Sequence, residues 1–98
     1  MKIDAIQIHE KDNVAVALRD IQENEEIVIG KAKGSFRMRA SEKIPFGHKL
    51  AVGYLEKDKM IIKYGEVIGK TTVAIPPGAH AHIQNIVSLR GRGDLHEN

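Results

Sequence analysis

Three short stretches of the chain set chemically competent side chains beside tight backbone: Gly47-His48-Lys49, Lys63-Tyr64-Gly65, and Gly78-Ala79-His80-Ala81-His82-Ile83-Gln84-Asn85. The third is the richest. On an extended strand alternate residues share a face, so His80, His82 and Gln84 are expected on one side, with Ala79, Ala81 and Ile83 on the other. Two imidazoles placed this way can ligate a divalent metal, because neutral imidazole suits zinc, iron, nickel or copper. They can also hold a carboxylate or move protons near neutral pH. His-x-His is a short pattern, and a solvated polar face reads the same way. His48 and Lys49 follow a turn built from Pro45 and Gly47, while Lys63 and Tyr64 end an apolar run just before Gly65. The Lys63 ammonium can pair with an acidic substrate. The plain alternatives are a surface histidine, a solvated lysine and a core-edge tyrosine.

Several other chemistries are excluded. The chain has no cysteine, which rules out disulfides, thiolate metal sites and thiol nucleophiles of its own. No Ser-His-Asp order stands out. Gly30-Lys31-Ala32-Lys33-Gly34 lacks the spacing and the Gly-Lys-Ser/Thr ending of a nucleotide loop. Arg92-Gly93-Asp94 spells an adhesion tripeptide, but such tripeptides arise by chance. The 15 Lys and Arg against 13 Asp and Glu give a net charge of +2. No basic face with interleaved aromatics accompanies it, so a nucleic-acid partner is not expected. No segment approaches the roughly 18 consecutive apolar residues of a membrane span. The expectation is a cytoplasmic protein with no membrane partner.

The elements that must position these groups are strands. At 98 residues the chain holds one domain, and a core this small makes association, with a partner or with further copies of itself, an expected source of stability. Ile6 and Ile8 alternate with polar neighbours, and Val14 to Leu18, Ile27 to Ile29, Leu50 to Val52 and Met60 to Ile62 are short apolar runs. Phe36, Met38 and Ala40 alternate with Arg37 and Arg39; Val67-Ile68 is flanked by glycines. Thr71 to Ile75 and Ala79 to Leu89 complete the expected strands, with Pro76-Pro77-Gly78 as a rigid corner between them. A weak repeat lies at an offset of 34 residues: Val16-Ala17-Leu18 over Leu50-Ala51-Val52, Ile21 over Leu55, Asn24 over Asp58, Ile27-Val28 over Ile61-Ile62. The sequence therefore predicts an all-β fold of two pseudo-symmetric β units with little helix, spanning residues 1–89, and a flexible tail over 90–98.

The ordered set Gly47-His48-Lys49-x-Ala51, Ile62-Lys63-Tyr64-Gly65-x-x-Ile68-Gly69 and Gly78-x-His80-x-His82-x-x-Asn85 resembles the N-terminal domain of the altronate and galactarate dehydratases, and the separate small subunit of the related sulfolactate sulfo-lyase. The tail from Ser88 to Asp94 resembles the same group. The resemblance implies a β-clip fold of the SAF type. It implies a metal-dependent β-elimination of water from a sugar acid, and a function divided between this chain as a small subunit, inactive alone, and a larger catalytic subunit. It assigns His48, His80 and His82 to catalysis and Lys49, Lys63, Tyr64, Gln84 and Asn85 to substrate binding. The implied cofactor is a divalent metal, iron or manganese, held mainly by the large subunit, with His80 and His82 as shared ligands. Gln84 departs from the His-x-His-x-His-Asn pattern of many members; Gln is a poor transition-metal ligand, which favours substrate contact over a three-histidine metal site. The competing reading is a non-catalytic SAF module that binds carbohydrate or assists assembly.

Overall fold

The computed structural model describes residues 2–89; the tail expected over 90–98 lies outside the described residues. Among the described residues there are nine strands and no helix: β1 (Ala5–Ile6), β2 (Val14–Ala17), β3 (Glu26–Gly30), β4 (Ser35–Arg39), β5 (Lys49–Ala51), β6 (Met60–Lys63), β7 (Glu66–Thr71), β8 (His80–Ala81) and β9 (Ile86–Ser88). They form a six-stranded sheet in the order β4-β3-β1-β2-β5-β8 and a three-stranded sheet in the order β6-β7-β9. Among the described residues no helix is long and apolar enough to cross a membrane.

The 34-residue repeat is structural. The same device is used twice, once in each unit: an apolar residue makes a paired bridge, and three positions later the backbone turns through a positive φ. Ile21 bridges Ile44, and Leu55 bridges Ile75. The turns that follow place Asn24 (φ 69°), Gly47 (φ 82°), Asp58 (φ 66°) and Gly78 (φ 79°) in the left-handed region, where Gly, Asn and Asp are the residues that pay least. Backbone hydrogen bonds repeat with it. Gly47 N–H donates to the Ala17 carbonyl at 2.9 Å and Gly78 N–H to the Ala51 carbonyl at 2.8 Å; Ala17 N–H donates to His48 at 2.9 Å and Ala51 N–H to Ala79 at 3.0 Å. The offset is 34 in the first part of each unit and shortens to 31 in the second, where Ile44 answers to Ile75 and Gly47 to Gly78.

Each unit has its own core. Ala17, Ile21, Ile27, Ile29, Ile44 and Leu50 fill one, and Val14, Ala51, Leu55, Ile61 and Ile75 the other. The neighbours Leu50 and Ala51 enter different cores because successive strand residues face opposite ways. Strand β5 therefore runs between the two units, and His48 just before it and Lys49 at its start emerge where both meet.

Two expected strands differ from the structure. Only Thr71 of the 71–75 stretch is in a strand, as the last residue of β7. The fully buried Thr71 hydroxyl donates to the Glu56 carbonyl at 2.6 Å and accepts Lys59 N–H at 2.9 Å, which ties the chain to a turn. Ile75 then makes only its bridge to Leu55. Ala79 to Leu89 is also not one strand. It is broken after Ala81, because Asn85 Oδ1 accepts His82 N–H at 2.9 Å and the His82 carbonyl accepts the N–H groups of Asn85 and Ile86. This closes a turn between β8 and β9, an Asx side chain outcompeting the sheet ladder for the backbone.

Candidate functional site

The pairing of β5 with β8 sets Leu50 opposite His80 and Lys49 opposite Ala81. One residue further along that register, His48 meets His82. Their rings stack with centroids 4.0 Å apart, while His80 lies 5.1 Å from His48 and 5.3 Å from His82. His48 Nδ1 is 2.8 Å from His80 Nε2. The third imidazole of the cluster thus comes from the residue that leads into the neighbouring strand β5, not from position 84. Asn85 holds the His-x-His segment from behind: besides accepting His82 N–H, its Nδ2 donates to the His80 carbonyl at 2.8 Å. His80 N–H donates to Glu42 Oε1 at 3.1 Å. Gln84 sits in the turn, with Nε2 3.0 Å from His80 Nδ1. It reaches the cluster by its position in the turn rather than by the strand alternation expected for it.

Burial lowers the pKa of His80, and the neighbouring His48 and His82 charges lower it further; Glu42 opposes this. Burial, then His48 and Lys49, lower His82 in the same direction. At neutral pH both are held as neutral imidazoles, the form that accepts a proton or ligates a metal. Lys49 is also pushed below its ordinary value, first by burial and then by the Lys63 charge.

As a donor set, His48, His80 and His82 are capable of holding a divalent ion: one ligand atom from each lies within 4.8 Å of the others. The spacing of two of these atoms is tighter than ligands on one ion adopt. Nitrogens bound tetrahedrally to an ion at about 2.0–2.1 Å stand about 3.3 Å apart, whereas His48 Nδ1 and His80 Nε2 lie at a hydrogen-bond distance of 2.8 Å. Loading an ion on both of these atoms requires the two rings to spread.

Beside the histidines opens a cavity of about 280 Å³ lined by Lys49, Lys63, Tyr64 and His82 on its polar side and by Ile68, Ile83 and Ile86 on its apolar side. Lys63 and Tyr64 reach it from the β6–β7 hairpin. That two-residue turn has positive φ at both Tyr64 (56°) and Gly65 (77°), the type I′ geometry that suits hairpin twist. An aromatic residue at the first of these positions carries backbone strain. Lys63 Nζ lies 4.8 Å from the Tyr64 ring centroid. The hairpin is held in place by residues that read only as a polar turn in the sequence. Buried Asp12 accepts Gly65 N–H at 2.8 Å, and Asn13 accepts Ile62 N–H at 2.8 Å and donates to the Met60 carbonyl at 2.9 Å. Glu42 is the other contributor missed in sequence; its 38-residue separation from His80 leaves no local signal. Ile83, at 85 % exposure, is a large apolar side chain that lines the cavity and faces solvent.

An all-β clip of two interlocked units, carrying three histidines and two lysines where the units meet, is a SAF-type domain. The chain belongs to the altronate/galactarate dehydratase SAF domain family, whose model matches residues 3–89. It is 39 % identical over 80 residues to altronate dehydratase from Bacillus subtilis (strain 168) and 38 % identical over 80 residues to that of Escherichia coli (strain K12), in each case covering 82 % of this chain. The chain spans about 15 % of the length of those two relatives. It is 31 % identical over 93 residues to (2R)-sulfolactate sulfo-lyase subunit alpha from Chromohalobacter salexigens, covering 92 % of this chain and 99 % of that subunit.

Proposed function

We propose that this chain, as a domain over residues 1–89, is the small subunit of a two-subunit sugar-acid dehydratase of the altronate/galactarate type. In this reading it works in the cytoplasm and is inactive without a larger catalytic subunit. The observation that carries the reading is the cluster of His48, His80 and His82, whose His82 lines one open cavity with Lys49 and Lys63. The match along 99 % of a separate sulfo-lyase subunit supports a stand-alone small subunit. It also favours a second reading, in which sulfite rather than water leaves.

The elimination breaks the C–H bond next to the carboxylate; its electron pair forms the C=C bond, and the C–O bond on the adjacent carbon breaks as a proton reaches the leaving oxygen. The net loss is one water. Lys49 and Lys63 bind the substrate carboxylate and stabilise the enolate charge that develops beside it. Tyr64 and Ile83 wall the sugar chain and exclude water, and the neutral imidazole of His82 accepts a proton. Gln84 and Asn85 orient the imidazoles. A divalent metal, iron or manganese, is assigned mainly to the larger subunit; the 2.8 Å approach of His48 Nδ1 to His80 Nε2, closer than two ligands on one ion stand, supports this.

Co-expression with a large dehydratase chain tests the proposal. The expected result is a stable complex that turns over an aldonate or aldarate in a panel that also contains sulfolactate. A chain that neither binds the large subunit nor stimulates its turnover of any of these acids sinks the proposal. Complex formation without any dependence of turnover on His48, His80 and His82 points instead to an assembly module.

A further inference from the structure

Gln84 Nε2 faces two atoms of His80: Nδ1 at 3.0 Å and the carbonyl oxygen at 3.5 Å. A carbonyl oxygen only accepts, so the end of the amide turned towards both is its NH2 group. His80 Nδ1 must then offer a lone pair, which places the proton of neutral His80 on Nε2. That N–H points at His48 Nδ1, 2.8 Å away, and donates to it. His48 in turn must carry its own proton on Nε2. From these contacts we infer that Gln84 is a positioning residue that sets one tautomer for both His80 and His48, and thereby withdraws His80 from metal ligation.

The withdrawal follows from counting lone pairs. In this arrangement both ring nitrogens of His80 are engaged, one accepting and one donating, and none is left for an ion. For His80 to ligate through Nε2, its proton must move to Nδ1, where it would meet the Gln84 NH2 group donor to donor. Rotating the amide would relieve that clash but would turn its oxygen towards the His80 carbonyl, acceptor to acceptor. The backbone carbonyl therefore holds the amide, and the amide holds the imidazole. A histidine or carboxylate at position 84 can accept from Nδ1–H and impose the opposite tautomer. His48 is left as a hydrogen-bond donor through Nε2–H, suited to hold a leaving oxygen while its proton comes from elsewhere. That last use alone rests on the proposed dehydratase reading; the tautomers and the metal preference stand without it.

The test uses the full 98-residue chain labelled with ¹⁵N, free of metal and at pH 8. Long-range ¹H–¹⁵N correlation spectra are expected to report Nε2–H tautomers for both His80 and His48. In Gln84→Glu, whose carboxylate only accepts, His80 is expected to switch to Nδ1–H. Gln84 is exposed, so both this variant and Gln84→Leu should melt within a few degrees of the parent. Zn²⁺ titrated into Gln84→Leu, which lacks the amide and offers no new ligand, should bind about two- to tenfold tighter than to the parent, the equivalent of one neutral hydrogen bond no longer opposing it. An Nδ1–H tautomer of His80 in the parent chain, no switch in Gln84→Glu, or an unchanged Zn²⁺ affinity in Gln84→Leu would each overturn the inference.

Discussion

Replacing Gly47 and Gly78 by alanine separates backbone strain from steric overlap, because the two glycines occupy equivalent turns of the two β units. Their φ values are 82° and 79°, so a Cβ costs about 1–2 kcal/mol in left-handed backbone at either. Their surroundings differ. A Cβ on Gly47 meets nothing within 4 Å, whereas one on Gly78 falls 2.3 Å from the Arg39 carbonyl oxygen and 3.0 Å from Ser41 N. Both are backbone atoms and cannot rotate away. Relieving the overlap moves the strand end and endangers the Ser41 N–H to Gly78 carbonyl bond of 2.9 Å, one of the links between the units. Overpacking of this kind adds about 1–3 kcal/mol, for a total of about 2–5 kcal/mol in Gly78→Ala. A domain of this size loses about 4–8 °C of melting temperature per kcal/mol. Gly47→Ala should therefore melt about 5–15 °C below the parent and Gly78→Ala lower still, approaching the whole stability of about 5–15 kcal/mol expected of a small domain. Thermal melts followed by circular dichroism decide the matter. Equal losses in the two variants would refute the steric half of the reasoning; no loss in Gly47→Ala would refute the strain half.

Other perturbations have defined outcomes. The pKa values of His80 and His82 are lowered from the ordinary 6.5 in the folded chain, so the unfolded chain binds more protons just below that value. Stability should be full above pH 6.5 and fall as the pH drops through the lowered values; a double His80→Gln, His82→Gln variant should lose this slope, and melts from pH 8 to 5 read it. Glu25, lowered from 4.5 chiefly by its hydrogen bond to Arg19, acts only below that window. Lys49→Met removes a half-buried ammonium: in the reconstituted pair KM for the acid should rise about tenfold or more, the worth of a charge-assisted hydrogen bond, while the chain's melting temperature stays level or rises. Tyr64→Asn relieves an aromatic residue in left-handed backbone and should stabilise the chain by about 1 kcal/mol at the expense of KM.

Much of the architecture was legible because it is written in short-range chemistry. Asn24, Gly47, Asp58 and Gly78 mark the four turns, and an isoleucine or leucine stands three positions before each of them. Apolar runs such as Ile27 to Ile29 could only be strands in a chain without long helical periodicity. The misreadings have a common cause. Thr71 to Ile75 has the composition of a strand, but the Thr71 hydroxyl and the prolines that follow draw its backbone elsewhere. Ala79 to Leu89 looks continuous until Asn85 is seen to cap His82. At the site, His80 and His82 were visible as a pair, and Lys49 and Lys63 as nearby cations, but the partnership of His48 with His82 depends on a strand register that only the fold supplies. Asp12, Asn13 and Glu42 act across long sequence separations, and nothing local distinguishes them from ordinary surface polarity.

The central claim is that this chain lends its histidine and lysine edge to a catalytic partner. The most direct measurement is turnover by the reconstituted pair containing His82→Asn, compared with the parent pair, alongside the dissociation constant of the two subunits. The account predicts that kcat/KM falls by about 100-fold or more, the scale of a lost proton-transfer group, while subunit affinity is unchanged. Turnover that survives the substitution with the complex intact would contradict it.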